Sequence, residues 1–201
     1  MSRKRVFYNL LVVIALLFMA LTAENILASD NILLSPGFED SPAGETPAFP
    51  PWWEWNDVSG AMTGTASGEV SGEVSHSGKR SVVRHVKGKA LGCYAQTIEV
   101  VPGQIVDGGI WIRTSKEFTG AEAYLRIEFK TKDTTIIQAV ESKKIISPDE
   151  SWKLHTVEVA PVPERAATAV FCLFLRGKDK NSSGTAWFDD GYMHVKFKGL
   201  I

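Results

Sequence analysis

The sequence predicts an all-β protein, a two-sheet antiparallel β-sandwich of the jelly-roll kind. Three observations carry that prediction. Short runs rich in β-branched and aromatic residues recur along the chain, several of them alternating apolar with polar side chains. Turn-forming residues separate these runs at a fairly even spacing, as in sandwiches and jelly rolls. No segment keeps apolar residues at i, i+3 and i+4 for three turns, so no amphipathic helix is expected. The 201 residues suffice for one domain with its own core, and an apolar share of 44% excludes wholesale disorder. A formal net charge of -1, from 22 basic and 23 acidic residues, gives no basic stripe for nucleic acid.

Residues 1–29 read as an address. Arg3, Lys4 and Arg5 precede an almost wholly apolar stretch, Phe7 to Ala23, and the small residues Ala28 and Ser29 follow. That order is a secretory signal, which places the protein outside the cell, in a periplasm or at the cell surface. The apolar stretch also reaches the short edge of what spans a bilayer, so an uncleaved anchor is the competing reading. Residues 30–201 form the single expected domain. Within it, Ser41–Ser75 is rich in Pro, Gly, Ser and Thr and reads as long loops, and it carries Pro50-Pro51-Trp52-Trp53-Glu54-Trp55. The expected strands follow in order: Ser81–Val86, Tyr94–Val101, Ile105–Thr114, Ala123–Lys130, Thr134–Val140, Trp152–Ala160, Ala167–Leu175 and Thr185–Phe197. Their turn signals include Ser77-Gly78, Pro102-Gly103, Thr119-Gly120 and Pro148-Asp149.

Five pieces of sequence occur in a recognisable order. They are Asn31 to Asp40, His76-Ser77-Gly78-Lys79, Tyr94-Ala95-Gln96 leading to Pro102-Gly103, Ser151-Trp152, and Gly184-Thr185-Ala186-Trp187-Phe188-Asp189-Asp190. Together they resemble the CenC-type carbohydrate-binding modules, the family 4/9 and 22 group with a galactose-binding-like jelly roll. The resemblance covers nearly all of residues 31–198. It implies a structural Ca²⁺ held by the carbonyls of Gly37, His76 and Lys79 and the carboxylates of Glu39 and Asp189. The chemistry is sensible for a hard cation, which takes carboxylate and carbonyl oxygens. The competing reading is that Glu39 caps a turn and the Asp pair ends a strand in water. One departure stands out: a Val usually follows that Asp pair, and Gly191 does so here.

Alternation marks candidate binding residues. Along Ala123–Lys130 one parity is Ala123, Leu125, Ile127 and Phe129, which reads as core; the other is Tyr124, Arg126, Glu128 and Lys130, which reads as exposed. Along Ile110–Arg113 the core parity is Ile110 and Ile112, leaving Trp111 and Arg113 outside. Consecutive strands are commonly neighbours, which would join Trp111, Arg113, Tyr124, Arg126 and Glu128 in one platform, with Trp52, Trp53 and Trp55 walling one end. Aromatic faces stack on sugar rings, and Arg and carboxylate groups hydrogen-bond their hydroxyls. The competing reading is a solvated ion-pair face with Trp111 and Tyr124 under a loop.

Other residues earn plainer readings. Trp152 and Trp187 read as strand-start packing, and Gln96 as buried and hydrogen-bonded. The four His are too scattered for zinc. Cys93 and Cys172 form either a bridge between two strands or two separate thiols. No nucleophile elbow, P-loop or dinucleotide fingerprint is present, and Glu128 with Glu158 is the one carboxylate pair considered for hydrolysis. The expected function is therefore an exported, non-catalytic module that binds a polysaccharide or glycan, free-standing because the chain ends after its last strand. The alternative is a cell-surface or envelope protein, structural or adhesive, that keeps the fold without binding sugar and contacts other extracellular proteins.

Overall fold

A computed structural model describes residues 31–47 and 50–197. The signal reading of residues 1–29 lies outside the described residues. Within them are ten strands: β1 (Trp53–Asn56), β2 (Thr65–Ser71), β3 (Ser81–Lys87), β4 (Ala90–Glu99), β5 (Gln104–Thr114), β6 (Ala121–Lys130), β7 (Ile136–Glu141), β8 (Lys153–Pro161), β9 (Thr168–Gly177) and β10 (Ser183–Phe197). No helix among the described residues is long and apolar enough to cross a membrane. The strands form two five-stranded sheets, in the orders β1-β4-β9-β6-β7 and β2-β3-β10-β5-β8. Every pairing is antiparallel. The predicted fold class is the observed one.

The core lies between the sheets and follows the alternation read from the sequence. Ile110 and Ile112 of β5 meet Ala123, Leu125, Ile127 and Phe129 of β6 there, all fully buried. Gln96 is buried as expected; its amide donates to the Leu34 carbonyl (3.0 Å) and accepts from the Leu34 N–H (2.8 Å). Trp52 differs from expectation, since it is no wall of a platform but part of the core. It is 1% exposed, its indole N–H donates to the Ser35 carbonyl (3.1 Å), and its ring meets Phe38 at 5.0 Å. Burying an indole contributes roughly 4–6 kcal/mol, which fixes where the loop enters the sheet.

Two strands lie inside the segment expected to be loop. β2 is Thr-Ala-Ser-Gly-Glu-Val-Ser, a composition with little strand preference; it is a strand because all seven residues pair with β3. β1 likewise owes its form to pairing with β4.

The expected neighbours β5 and β6 belong to different sheets. Only β2–β3 and β6–β7 connect within one sheet; every other connection crosses the sandwich. This wiring buries the core face of each strand against the opposite sheet and carries the outer faces of β5 and β6 to opposite sides of the molecule.

Residues 31–36 are tied to the last strand. Asn31 Nδ2 donates to the Gly191 carbonyl (2.8 Å), and the Gly191 N–H donates to the Pro36 carbonyl (3.1 Å). Here β10 bulges between Asp189 and Tyr192, with Asp190 at a φ of 47°. A Cβ at Gly191 would stand 3.1 Å from Ile110 and 3.3 Å from Leu33, so a larger residue there requires those side chains to give way.

Candidate functional site

The outer face of the first sheet carries a groove of about 370 Å³. Its side chains follow from strand register. One row runs Trp55, Cys93, Phe174, Tyr124 across β1, β4, β9 and β6. The next runs Trp53, Ala95, Cys172, Arg126 and on to Glu141 of β7. β1 forms one wall, β4 and β9 the floor, and β6 with Ile136 of β7 the other wall.

The walls differ in chemistry. On the β1 side Trp55 is 40% exposed, and its ring meets Phe174 edge-on at 6.3 Å. Trp53 donates its indole N–H to Thr97 Oγ1 (3.2 Å). On the β6 side Tyr124 stacks on Phe174 at 5.5 Å and 13°. Contrary to the expected exposure of this face, Tyr124 is 3% and Glu128 6% exposed, the first covered by Phe174 and the second by its two cations; burial pushes the Tyr124 hydroxyl up to about 12. Arg126 and Lys130 both pair with the Glu128 carboxylate, at 3.0 and 3.2 Å, and Arg126 reaches Glu141 at 3.3 Å. The groove thus offers aromatic faces beside a balanced set of charged hydrogen-bonding groups.

The expected platform is therefore split. Trp53, Trp55, Tyr124, Arg126 and Glu128 come together as predicted, but Trp111 and Arg113 do not join them. Both lie on β5, on the outer face of the second sheet. Trp111 stacks on His76 at 3.9 Å and 15°, Trp152 meets His76 edge-on, and the Arg113 guanidinium lies 5.8 Å from the Trp187 ring. Sequence reading missed Phe174, Cys93, Cys172 and Lys130 as groove residues. Their parity was legible; the partner strands that set them beside β6 were not. Glu128 and Glu158 stand on strands of different sheets, so they do not form a facing acid pair.

A second cluster lies at the β10 bulge. All five residues of the expected calcium set converge there. Glu39 Oε1 accepts from the N–H groups of Lys79 (2.8 Å) and Arg80 (2.9 Å). Asp189 Oδ2 accepts from the N–H groups of His76 (2.7 Å) and Ser77 (3.2 Å), and its Oδ1 accepts from Asp190 N–H. A Cβ at Gly37 would touch Asp190 at 3.4 Å, Asp189 at 3.7 Å and Glu39 at 4.0 Å. Asp189 is fully buried, and its carboxyl is pushed up to about 6, chiefly by desolvation; the Asp190 charge adds to this and backbone N–H groups oppose it. A buried acid beside a second acid is the setting a cation relieves. Among the described residues no three His, Cys, Asp or Glu side chains are arranged to hold a metal. The expected set differs in kind, with two carboxylates and three carbonyls, and those donors suit Ca²⁺.

No protein-family model and no curated protein matches the sequence. Solved structures do match the fold. TmCBM61 in complex with beta-1,4-galactotriose is 20% identical, with 84% of this chain and 100% of that chain covered, at a TM-score of 0.56. The CBM22-1 xylan-binding domain from Paenibacillus barcinonensis Xyn10C is 14% identical, covering 86% and 98%, at 0.57. A cyclase from Fischerella sp. TAU in complex with 4-(1H-indol-3-yl)butan-2-one is 17% identical, covering 84% and 98%, at 0.56. The chain spans about a fifth (21%) of the enzymatically active domain of bacteriophage CBA120 tailspike protein 4, which it also resembles. At these identities the likeness is one of fold, the β-sandwich of carbohydrate-binding modules.

Proposed function

We propose that this chain is an exported, non-catalytic domain that binds a polysaccharide or glycan in the groove between Trp53 and Trp55 on one side and Tyr124, Arg126 and Glu128 on the other. The observation that carries the reading is the pair of cross-strand rows that set two Trp rings opposite a Tyr–Arg–Glu wall. The groove falls within the ~300–1,000 Å³ of small-molecule sites. It is open: Trp52 turns into the core, while Trp53 and Trp55 stand at its side rather than over it. Solved structures of the same fold hold a galactotriose or are named for xylan binding, which supports this ligand class. The same fold also serves a cyclase, so the ligand class rests on the groove's own side chains.

In this proposal Ca²⁺ is structural. The carbonyls of Gly37, His76 and Lys79 and the carboxylates of Glu39 and Asp189 hold it, neutralising the buried acid and tying the segment around Gly37 and Glu39 to β10. It stands on the opposite sheet's side of the molecule and takes no part in gripping the sugar.

The second reading is an envelope or adhesive protein without sugar binding. What favours it is that Arg126, Lys130, Glu128 and Glu141 already pair with one another, leaving a ligand to compete for them. A glycan and polysaccharide screen of the protein and its Trp55→Ala variant decides. Binding that the substitution abolishes supports the module. No binding by a folded protein supports the second reading.

A further inference from the structure

The chain has two cysteines in all, and the fold sets them side by side. Cys93 is on β4 and Cys172 on its neighbour β9; both side chains lie on the groove floor, and each is 2% exposed. Both are free thiols. In the ladder Ala95 stands opposite Cys172, and Cys93 stands opposite Phe174, so the two cysteines are diagonal neighbours. Diagonal residues of an antiparallel pair have Cα atoms ~7–8 Å apart. A disulfide needs ~4.4–6.8 Å, so bridging these two requires the backbone to move.

The two side chains nevertheless project from neighbouring strands onto one floor. Burial pushes the Cys172 thiol well above its usual value, and a hydrogen bond with Cys93 pushes it further. Two free thiols on diagonal positions of neighbouring strands, facing one floor, match an ion with two short bonds. Two metal–thiolate bonds of ~2.3 Å span about 4.6 Å. The surroundings select the ion. Among the described residues no third His, Cys, Asp or Glu completes a cluster, which disfavours zinc and its four ligands. Rings of Trp55, Phe174 and Tyr124 line the same floor and wall, and sulfur ligands in such a setting suit soft cations.

We propose that Cys93 and Cys172 form a two-coordinate site for a soft monovalent cation, Cu(I) or Ag(I), at the floor of the groove. On uptake both S–H bonds break, two sulfur–metal bonds form, and two protons pass to solvent. No electron is transferred, and the bound unit carries one negative charge. Arg126, opposite Cys172 in the ladder, and the nearby Lys130 offset that charge, against the opposing Glu128. The site stands apart from the sugar reading, because it needs only the two thiols.

The test is titration of the full chain, reduced and metal-free, with Ag(I) in chloride-free buffer. One Ag(I) per chain is expected by native mass spectrometry, with saturable quenching of tryptophan fluorescence. Cys93→Ala and Cys172→Ala should each weaken binding by more than about 100-fold. Undiminished affinity in either variant, or no binding to the unmodified chain, overturns the proposal. So does a chain that is two hydrogens lighter after purification without reductant, which would show a disulfide instead. If a variant does not fold, alkylation of the unmodified chain gives the second readout. One equivalent of Ag(I) should protect both cysteines together; protection of one alone overturns the site.

Discussion

Arg84 reaches across the sandwich from β3 to Glu54 of β1, with Nη1 donating to Oε1 at 2.8 Å. The guanidinium is fully buried, also donates to Asn56 Oδ1, and lies 4.7 Å from the centre of the Tyr94 ring. Strand alternation makes this contact matter to the groove. Glu54 and Asn56 point inward to Arg84, so Trp53 and Trp55 must point outward. A four-residue edge strand has little else to fix its parity. Glu54→Ala leaves the guanidinium buried without its carboxylate and should cost about 3 kcal/mol in chemical denaturation. A loss below ~0.5 kcal/mol would show that Arg84 is not held this way. Gly92→Ala probes the same contact, because its Cβ would stand 2.2 Å from both Arg84 and Asn56.

Trp111 is the control for the groove. It is partly buried on the far face against His76, so Trp111→Ala should leave glycan affinity within about twofold of the parent. Trp55→Ala removes an exposed ring from the groove wall and should weaken binding at least about tenfold, or ~1.4 kcal/mol. Isothermal titration with any ligand found in the screen measures both. Equal losses would mean that the wrong face has been assigned.

That contrast marks what the sequence could show. Parity is local, so the core residues Leu125, Ile127, Ile110 and Ile112 could be read from a few neighbours. Which strands pair is set by crossings of the sandwich, and nothing in residues 105–130 records that β5 and β6 part company. A rule of sequence adjacency puts Trp111 and Arg113 beside Tyr124, and this wiring breaks it. β2 was hidden for a related reason: its Ser and Gly residues form a strand only because β3 pairs with them. Among Trp52, Trp53 and Trp55, alternation separates Trp53 and Trp55 from Glu54, but it cannot say that Trp52 precedes the strand and turns inward.

Asp189 gives the protein a pH dependence with a definite sign. Its carboxyl is raised to about 6 in the folded chain, against 3.8 ordinarily. Between these values the folded state holds the proton more tightly, so stability is highest below pH ~4 and falls as pH rises to ~6, then levels off. The fall is on the order of 3 kcal/mol. Exposed acids such as Asp57 and Asp149 are shifted down and act in the opposite sense, so the quantity to measure is the difference between the parent and Asp189→Asn. That difference should change between pH 4 and 6. Ca²⁺ at pH 7 should raise the melting temperature of the parent and not of the variant. Identical pH profiles, or equal responses to Ca²⁺, would remove both Asp189 and the cation from the account.

Trp52 and Trp55 stand three residues apart and should fail in different ways. Trp52 is closed in by Phe38 at 5.0 Å and Phe171 at 6.3 Å, with its N–H satisfied by Ser35. Trp52→Ala leaves a large cavity between the sheets and should cost about 4 kcal/mol. Trp55 is 40% exposed and makes one edge contact with Phe174, so Trp55→Ala should cost less than about 1 kcal/mol. Denaturant unfolding separates the two directly. A large loss at Trp55 would mean that its ring holds β1 to the sheet, and a lost ligand in that variant would then report a displaced wall rather than a missing contact. A small loss leaves the ring free to act as a binding surface, which is the condition the groove reading requires.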